Sequence, residues 1–130
     1  MYEPVINSEQ LAGLCAAALE TLPRPIVVSN HETILFANAA AARQLGAKTA
    51  SEIIGLPISE LLHPDCHDTA AVRRQLLAES GQELHGLPSK VVGRDGSTIS
   101  TVTDAHPIEF DGEVAFVYTG GLAVAWASRS

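Results

Sequence analysis

The side chains best suited to bind a metal lie within six positions, residues 63–68, with the sequence HPDCHD. Histidine, cysteine and aspartate are all transition-metal ligands in proteins. No second pair of such ligands follows elsewhere at a recognisable spacing, so we predict no metal site. Catalytic patterns are not indicated either, because Ser29 and Ser59 lie outside nucleophile motifs and the glycines fall at predicted helix ends and turns. We therefore expect no enzymatic activity from this chain.

The composition indicates one globular domain, since 46% of the 130 residues are hydrophobic and 18% are charged. Acidic residues outnumber basic ones by 15 to 8, and the net charge of -7 disfavours nucleic acid as a partner. Two cysteines form no disulfide framework, which favours a cytoplasmic location. The N-terminus lacks a signal-peptide pattern and the apolar run 122–127 is too short to cross a bilayer, so we expect no membrane association.

A predicted β-hairpin and the helix after it form the unit on which the rest of the chain packs. The runs 26–28 and 33–36 are rich in Val, Ile, Thr and Phe, which favour strands. Asn38 follows as the structural cap of a helix, because its side-chain oxygen can accept a bond from a free backbone N–H. The alanine-rich segment 39–45 favours a helix that ends at Gly46.

Residues 1–22 are predicted to form a separate unit, an N-terminal amphipathic helix. Asn7 and Gln10 have the spacing of a capping box at its start. Apolar side chains then recur at helical spacing and form one stripe, which packs either on its own domain or on a second copy. Because the helix lies outside the compact unit, we favour the dimer. The predicted dimer residues are Leu11, Leu14, Leu19 and Leu22.

The rest of the chain predicts short helices followed by three strands. A longer helix is expected over residues 65–80. Its predicted buried side consists of Val72, Leu76 and Leu77. From Glu83 the hydrophobic period changes to two, and Asp-Gly pairs at 95–96 and 111–112 predict hairpin turns with positive φ. The predicted fold class is therefore α+β, a five-stranded antiparallel sheet covered on one face by short helices over residues 23–120, with 121–130 as a tail carrying Trp126.

This order of elements resembles that of a PAS domain over about residues 19–120. The resemblance is carried by a strand, asparagine and small-residue helix (25–28 and 34–41), by the pieces IG and LLHPD (54–55 and 61–65), and by the hairpin at 94–96. PAS domains are sensory and dimerisation modules, so the resemblance implies a homodimer and a small cavity between sheet and helices. It also implies signalling output through another domain or a partner protein.

Two branches of that family bind a cofactor through motifs that can be compared with this sequence. The light-sensing branch resembles this chain in fold and uses the flavin-reactive motif Asn-Cys-Arg-Phe-Leu-Gln. The matching residues here are 57–62, with the sequence PISELL, so Ile58 stands at the position of the reactive cysteine. A flavin is therefore not expected. In the oxygen-sensing branch a His-Asp pair early on the long helix ligates haem, and His67-Asp68 resembles that pair. Haem stays an alternative, and the absence of a cofactor is the expectation.

The remaining candidate site is an apolar cavity between the sheet and the helices. Tyr118 is the group there that could bond a ligand, because a phenol in apolar surroundings needs a partner. The predicted pocket residues are Ile26, Val28, Leu35, Leu61, Leu76, Val91, Val102, Phe116 and Tyr118. The leading hypothesis is a cytoplasmic sensor and dimerisation module of a histidine kinase or transcription regulator, binding a small ligand. The alternatives are a protein-protein interaction domain with a filled core and a haem-based gas sensor.

Overall fold

The computed structural model of the chain describes residues 7–122. Its helices and strands are α1 (Ser8–Thr21), β1 (Ile26–Ser29), β2 (Ile34–Ala37), α2 (Ala39–Gln44), α3 (Ile58–Leu61), α4 (His67–Ser80), β3 (Leu84–Val92), β4 (Thr98–Phe110) and β5 (Glu113–Leu122). Single 3-10 turns at Ala50–Glu52 and Pro64–Cys66 precede α3 and α4. The predicted order of two strands, several helices and three strands is confirmed.

The five strands form one antiparallel sheet in the order β2-β1-β5-β4-β3. β4 and β5 form its longest ladder, in which Thr101 pairs with Leu122. β1 lies between β2 and β5, with Val28 opposite both Phe36 and Val117. The first hairpin is therefore joined to the last strand, and the helices between them must cross one face of the sheet.

The predicted hairpin turns both form, with different backbone geometry. Asp111 and Gly112 have φ of 53° and 76°, the paired positive values of a two-residue hairpin turn. In the other turn Gly96 has positive φ, 88°, whereas Asp95 does not. The prediction of positive φ was therefore wrong for Asp95, because that turn is longer and is closed by the Gly93 N–H bonded to the Ser97 carbonyl at 2.7 Å.

β5 continues beyond its predicted end at Thr119. Gly120 and Gly121 pair with Thr103 and Val102 of β4, so the first residues of the predicted tail belong to the sheet. Trp126 and the other residues of 123–130 lie outside the described part of the chain. The extension brings the two backbones close, since a Cβ on Gly120 would lie 2.9 Å from the Thr103 Cα and closer still to the Val102 carbonyl oxygen.

Two clusters of buried side chains form the core between the sheet and the helices. The first cluster joins β2, α2, the 3-10 turn and α3, and contains Ile34, Ala41, Leu45, Ile53 and Leu61. The second lies beneath α4, where Leu77 packs with Ala105 of β4 and Phe116 of β5. The helical layer is thus attached to the sheet at two places, one on each side of the space described below.

The buried side of α4 differs from the prediction. Leu77 is fully buried, but Leu76 is 50% exposed and Val72 is 60% exposed. Adjacent residues of a helix point about 100° apart, and because Leu77 faces the sheet directly, Leu76 is turned toward solvent. The prediction was therefore wrong for Leu76 and Val72, and Ala70 and Arg74 lie on the inner side instead.

Candidate functional site

A cavity of about 140 Å³ lies between the sheet and the helical layer. Residues of both core clusters line it, among them Ile34, Leu45 and Leu61 from the first and Leu77 and Ala105 from the second. An apolar protein cavity of about 150 Å³ can hold a benzene molecule, so the space here suits a ligand of about that size. A haem or a flavin ring system is far larger.

Three of the nine predicted pocket residues line the cavity, namely Leu61, Val91 and Tyr118. Four others belong to the alternate positions of their strands, whose side chains point to the face away from the cavity. These are Ile26, Val28, Leu35 and Val102. Side chains alternate between the two faces of a strand, and the wall is formed by Val27 and Ser29 of β1, Ile34 of β2 and Thr101 and Thr103 of β4. The prediction of these four as pocket residues was therefore wrong by one position.

The other two predicted pocket residues miss the cavity for different reasons. Phe116 shares a strand face with Tyr118 and is fully buried, but it fills the core beneath α4. Its ring also meets the His31 ring edge-on, with 5.0 Å between the centroids. Leu76 points away from the sheet, as described above. Neither Phe116 nor Leu76 lines the cavity, so both predictions were wrong.

Three polar side chains from different elements meet on the cavity wall: Ser29 of β1, Arg74 of α4 and Tyr118 of β5. Ser29 is completely buried, and its Oγ has no hydrogen-bond partner among residues 7–122. The Nε of Arg74 is likewise buried and unpartnered within that range. Such groups are costly to leave unsatisfied, so this polar end of the cavity is suited to a ligand that completes its hydrogen bonds.

Tyr118 has the electrostatics of a group in a largely dry site. Burial raises the pKa of its phenol, while the neighbouring Ser29 hydroxyl and Arg74 guanidinium act in the opposite direction. Both groups lie near the Tyr118 hydroxyl, and neither the Ser29 Oγ nor the Arg74 Nε has a hydrogen-bond partner within residues 7–122. The phenol therefore stays neutral at ordinary pH and can donate to a ligand.

Sequence reasoning missed Ser29 and Arg74. In the sequence, Ser29 stands out only as a serine outside nucleophile motifs, and Arg74 is not among the predicted pocket residues. A usable signal existed for Arg74, which follows Ala70 by four residues and precedes Leu77 by three, and so shares their helix face. No signal of that kind existed for Ser29, because β1 carries apolar residues on both faces.

An open groove lies on the other side of Arg74. His31, Glu32, Ser59 and His67 line it. Ile58, Leu62 and Arg74 belong to the walls of both the groove and the cavity. These three side chains therefore separate the internal space from the surface.

The predicted haem ligand does not reach the cavity. His67 lies in the groove, where its Nε2 is 3.0 Å from the Leu62 carbonyl and 3.2 Å from that of Ser59. Carbonyl oxygens only accept, so Nε2 carries the proton and donates to them, which is incompatible with iron ligation by that atom. The described residues do not fit a haem, and His67 instead joins the start of α4 to the α3 region.

The other cofactor positions can also be placed. Ile58, where the flavin-binding motif has its cysteine, lies on the cavity wall and offers no thiol. Cys66 is a free cysteine outside that wall. Within residues 7–122 no group of three or more His, Cys, Asp and Glu side chains is placed to hold a metal ion.

Asn38 joins four segments at the edge of the site. Its Oδ1 accepts bonds from the backbone N–H groups of Ile26 and Ala41, both at 3.0 Å. Its Nδ2 donates to the carbonyls of Leu19 at 3.1 Å and Arg24 at 2.8 Å. This completely buried amide is thus the N-cap of α2 and also fixes the end of α1 and the start of β1.

α1 presents apolar side chains to solvent. The Asn7–Gln10 capping box forms at its start, and Leu14 and Leu22 are 59% and 43% exposed. Leu19 is half-buried, and nothing is described for the Leu11 side chain. None of the helices in the described part of the chain is long and apolar enough to span a membrane.

Comparison with known proteins gives consistent matches. The model of the PAS fold family matches residues 14–120. Sporulation kinase A of Bacillus subtilis is 27% identical over 97 residues, which are 75% of this chain but 16% of that protein. The chain thus spans about a sixth of that curated relative.

Solved structures share the fold. The PAS domain of an HTR-like protein from Haloarcula marismortui has a TM-score of 0.72 at 22% identity, covering 88% of this chain and 93% of that one. A LOV protein from Rhodobacter sphaeroides has a TM-score of 0.70 at 14% identity, covering 91% of this chain and 69% of that one. The family match over most of the chain, together with the sheet and its helical layer, shows that the protein belongs to the PAS-fold family.

Proposed function

We propose that this chain is the sensor and dimerisation module of a cytoplasmic signal-transduction protein of the histidine kinase or transcription regulator type, and that its cavity binds a small ligand. The observation that carries the proposal is the cavity of about 140 Å³ with a completely buried hydroxyl on its wall that has no hydrogen-bond partner within residues 7–122. A protein-protein interaction domain with a filled core would have neither feature. The kinase relative supports the sensory context.

The position of the cavity supports a route for the signal. A ligand there contacts Ser29 on β1, Tyr118 on β5 and Arg74 on α4. β1 begins at Ile26, whose N–H is held by Asn38, and the same amide holds the end of α1 through the Leu19 carbonyl. A shift of β1 on ligand binding is therefore passed to α1, the proposed dimer helix.

Catalytic output is expected outside this chain. The relative is a kinase of which the chain matches 16%, so we assign the phosphoryl-transfer or transcriptional step to another domain or to a partner. The role of this chain is then to change the relative placement of two copies in response to a ligand.

Native mass spectrometry of the purified 130-residue chain tests the proposal, because it reports oligomer mass and bound small molecules together. We expect a dimer that carries added mass. Ala41→Leu fills the cavity and should remove that mass, whereas Ala71→Leu on the exposed side of α4 should retain it. A dimer without added mass, before and after incubation with a metabolite extract, would favour the interaction domain, and a Soret absorbance band would restore the haem alternative.

A further inference from the structure

Resting on the proposed ligand-binding function, we propose that the cavity takes a small monocarboxylate with an apolar tail. The carboxylate binds Arg74, with the hydroxyls of Ser29 and Tyr118 as additional donors. The tail of about four to six carbon atoms fills the apolar remainder of the cavity, which is about the size of a benzene site.

The charge on the wall favours an anion. Arg73 and Arg74 both line the cavity, and no Asp or Glu of the described chain does. Arg73 is already engaged, because its Nη1 donates to the Pro88 carbonyl at 2.9 Å. Arg74 forms no ion pair within residues 7–122 and keeps a buried, unpartnered Nε. Arg74 is therefore the cation available to a ligand.

The geometry of the available donors favours a carboxylate over other anions. A guanidinium presents two parallel N–H groups that match the two oxygens of a carboxylate. The Ser29 hydroxyl and the neutral Tyr118 phenol can each donate one further bond to such an oxygen. A neutral ligand would leave the Arg74 charge without a partner at the cavity end.

The remainder of the wall restricts the rest of the ligand. Ile34, Leu45, Leu77 and Leu87 contribute only hydrocarbon surface. Of the other polar side chains on the wall, Arg73 already donates to the Pro88 carbonyl and Thr101 to the Ser89 carbonyl. A second carboxylate would therefore be buried without a free cation, which is strongly unfavourable, so a dicarboxylate is not expected. Each methylene buried against this surface adds to binding until the space is filled.

The same arginine marks the entry side. Arg74, Ile58 and Leu62 separate the cavity from the groove lined by His31 and Glu32. Arginine has a long, flexible side chain, so its rearrangement opens this wall without movement of the helix. The carboxylate is then met by Arg74 as it enters.

Isothermal titration calorimetry on the full chain tests the proposal with three probes: hexanoate, hexanamide and benzene. We expect hexanoate to bind wild type more tightly than the neutral hexanamide by about tenfold or more. Arg74→Gln should abolish this preference, and Arg74→Lys should retain part of it. Arg43→Gln is the charge-matched control, because Arg43 is exposed on α2 and lines neither the cavity nor the groove, and it should retain the full preference. Unchanged benzene binding by Arg74→Gln shows that its cavity is intact.

The outcomes separate this inference from the proposed function. Benzene binding without a preference for hexanoate overturns the carboxylate assignment and leaves a ligand-binding cavity in place. A hexanoate preference that survives in Arg74→Gln also overturns it, since the anchor must then lie elsewhere. Failure of all three probes overturns the inference, and the proposed function is then decided by the mass-spectrometric result.

Discussion

Asn38 is the residue on which most separate segments depend. Replacing it with alanine leaves the backbone groups of Ile26, Ala41, Leu19 and Arg24 without their present partners. Since an N-cap contributes about 1 kcal/mol and an unsatisfied buried group costs about 1–3 kcal/mol, we expect Asn38→Ala to lower the free energy of unfolding by about 2–4 kcal/mol. Urea denaturation followed by far-UV circular dichroism measures this loss.

Asn30 provides the matched control for that variant. Its Oδ1 also accepts two backbone bonds, from Glu32 at 2.8 Å and Thr33 at 2.7 Å, but it does so in a solvent-accessible turn. Water can replace those bonds, so Asn30→Ala should cost less than about 1 kcal/mol. Equal losses in the two variants would contradict the role given to Asn38.

The raised pKa of Tyr118 predicts that the folded state loses stability at alkaline pH. Because burial raises the phenol pKa in the folded chain, the folded state holds the proton more tightly than the unfolded state. The stabilisation is fully present below the ordinary tyrosine pKa and is lost as the pH rises through the raised value. The unfolding midpoint of wild type should therefore fall relative to that of Tyr118→Phe as the pH rises above the ordinary tyrosine range, and a Tyr118 that ionises at or below its ordinary range would refute this.

At the scale of elements, the β4–β5 ladder requires Gly120. Any Cβ there would meet the β4 backbone at Thr103 and Val102, whereas a Cβ on Gly121 meets nothing within 4 Å. Since forced overpacking costs about 1–3 kcal/mol, we expect Gly120→Ala to destabilise by that amount and Gly121→Ala to be close to neutral. Thermal unfolding of the two variants compares adjacent glycines in one strand, and similar melting temperatures would exclude the steric explanation.

The elements could be predicted from the sequence where a local signal was unambiguous. Asn38 before an alanine-rich segment indicated a cap, and the Asp-Gly pair at 111–112 indicated a hairpin turn. The inward-facing side of β1 could not be predicted, because its sequence IVVS places apolar residues on both faces of the strand. In β4 the apolar pattern was misleading, since Val102 was placed inside while Thr101 and Thr103 form the wall.

The candidate site was harder to predict than the fold because its polar residues give no local sequence signal. A core position is recognised by its apolar side chain, but the polar end of this cavity is built from Ser29 and Arg74. Their burial follows from tertiary packing between β1 and α4, which no local pattern reports. Tyr118 was found because its hydroxyl in an apolar strand required a partner.

For the whole molecule, the internal site and the exposed helix form one connected unit. Ser29 and the Asn38-bound Ile26 are the two ends of a four-residue strand. Asn38 also donates to the Leu19 carbonyl near the C-terminal end of α1, so the same side chain contacts both β1 and α1. Binding in the cavity and pairing through α1 are therefore expected to be thermodynamically coupled, so that ligand changes dimer affinity and dimerisation changes ligand affinity by the same factor.

The proposed dimer through α1 can be tested with Leu14→Glu. Leu14 is 59% exposed, so the substitution should leave the fold and its melting temperature unchanged. In a symmetric helix pair it would place two carboxylates at an apolar contact, and desolvation and repulsion should convert the dimer to monomer. Size-exclusion chromatography with light scattering measures the mass.

Val72→Glu is the control for the dimer test, because Val72 is 60% exposed on α4 and receives the same charge. It should stay dimeric if the interface is α1. A dimeric Leu14→Glu with a monomeric Val72→Glu would move the interface to the outer face of α4, where Leu76 lies beside Val72. If both variants stay dimeric, neither helix forms the interface, and the coupling from the cavity to α1 would then have no partner helix on which to act.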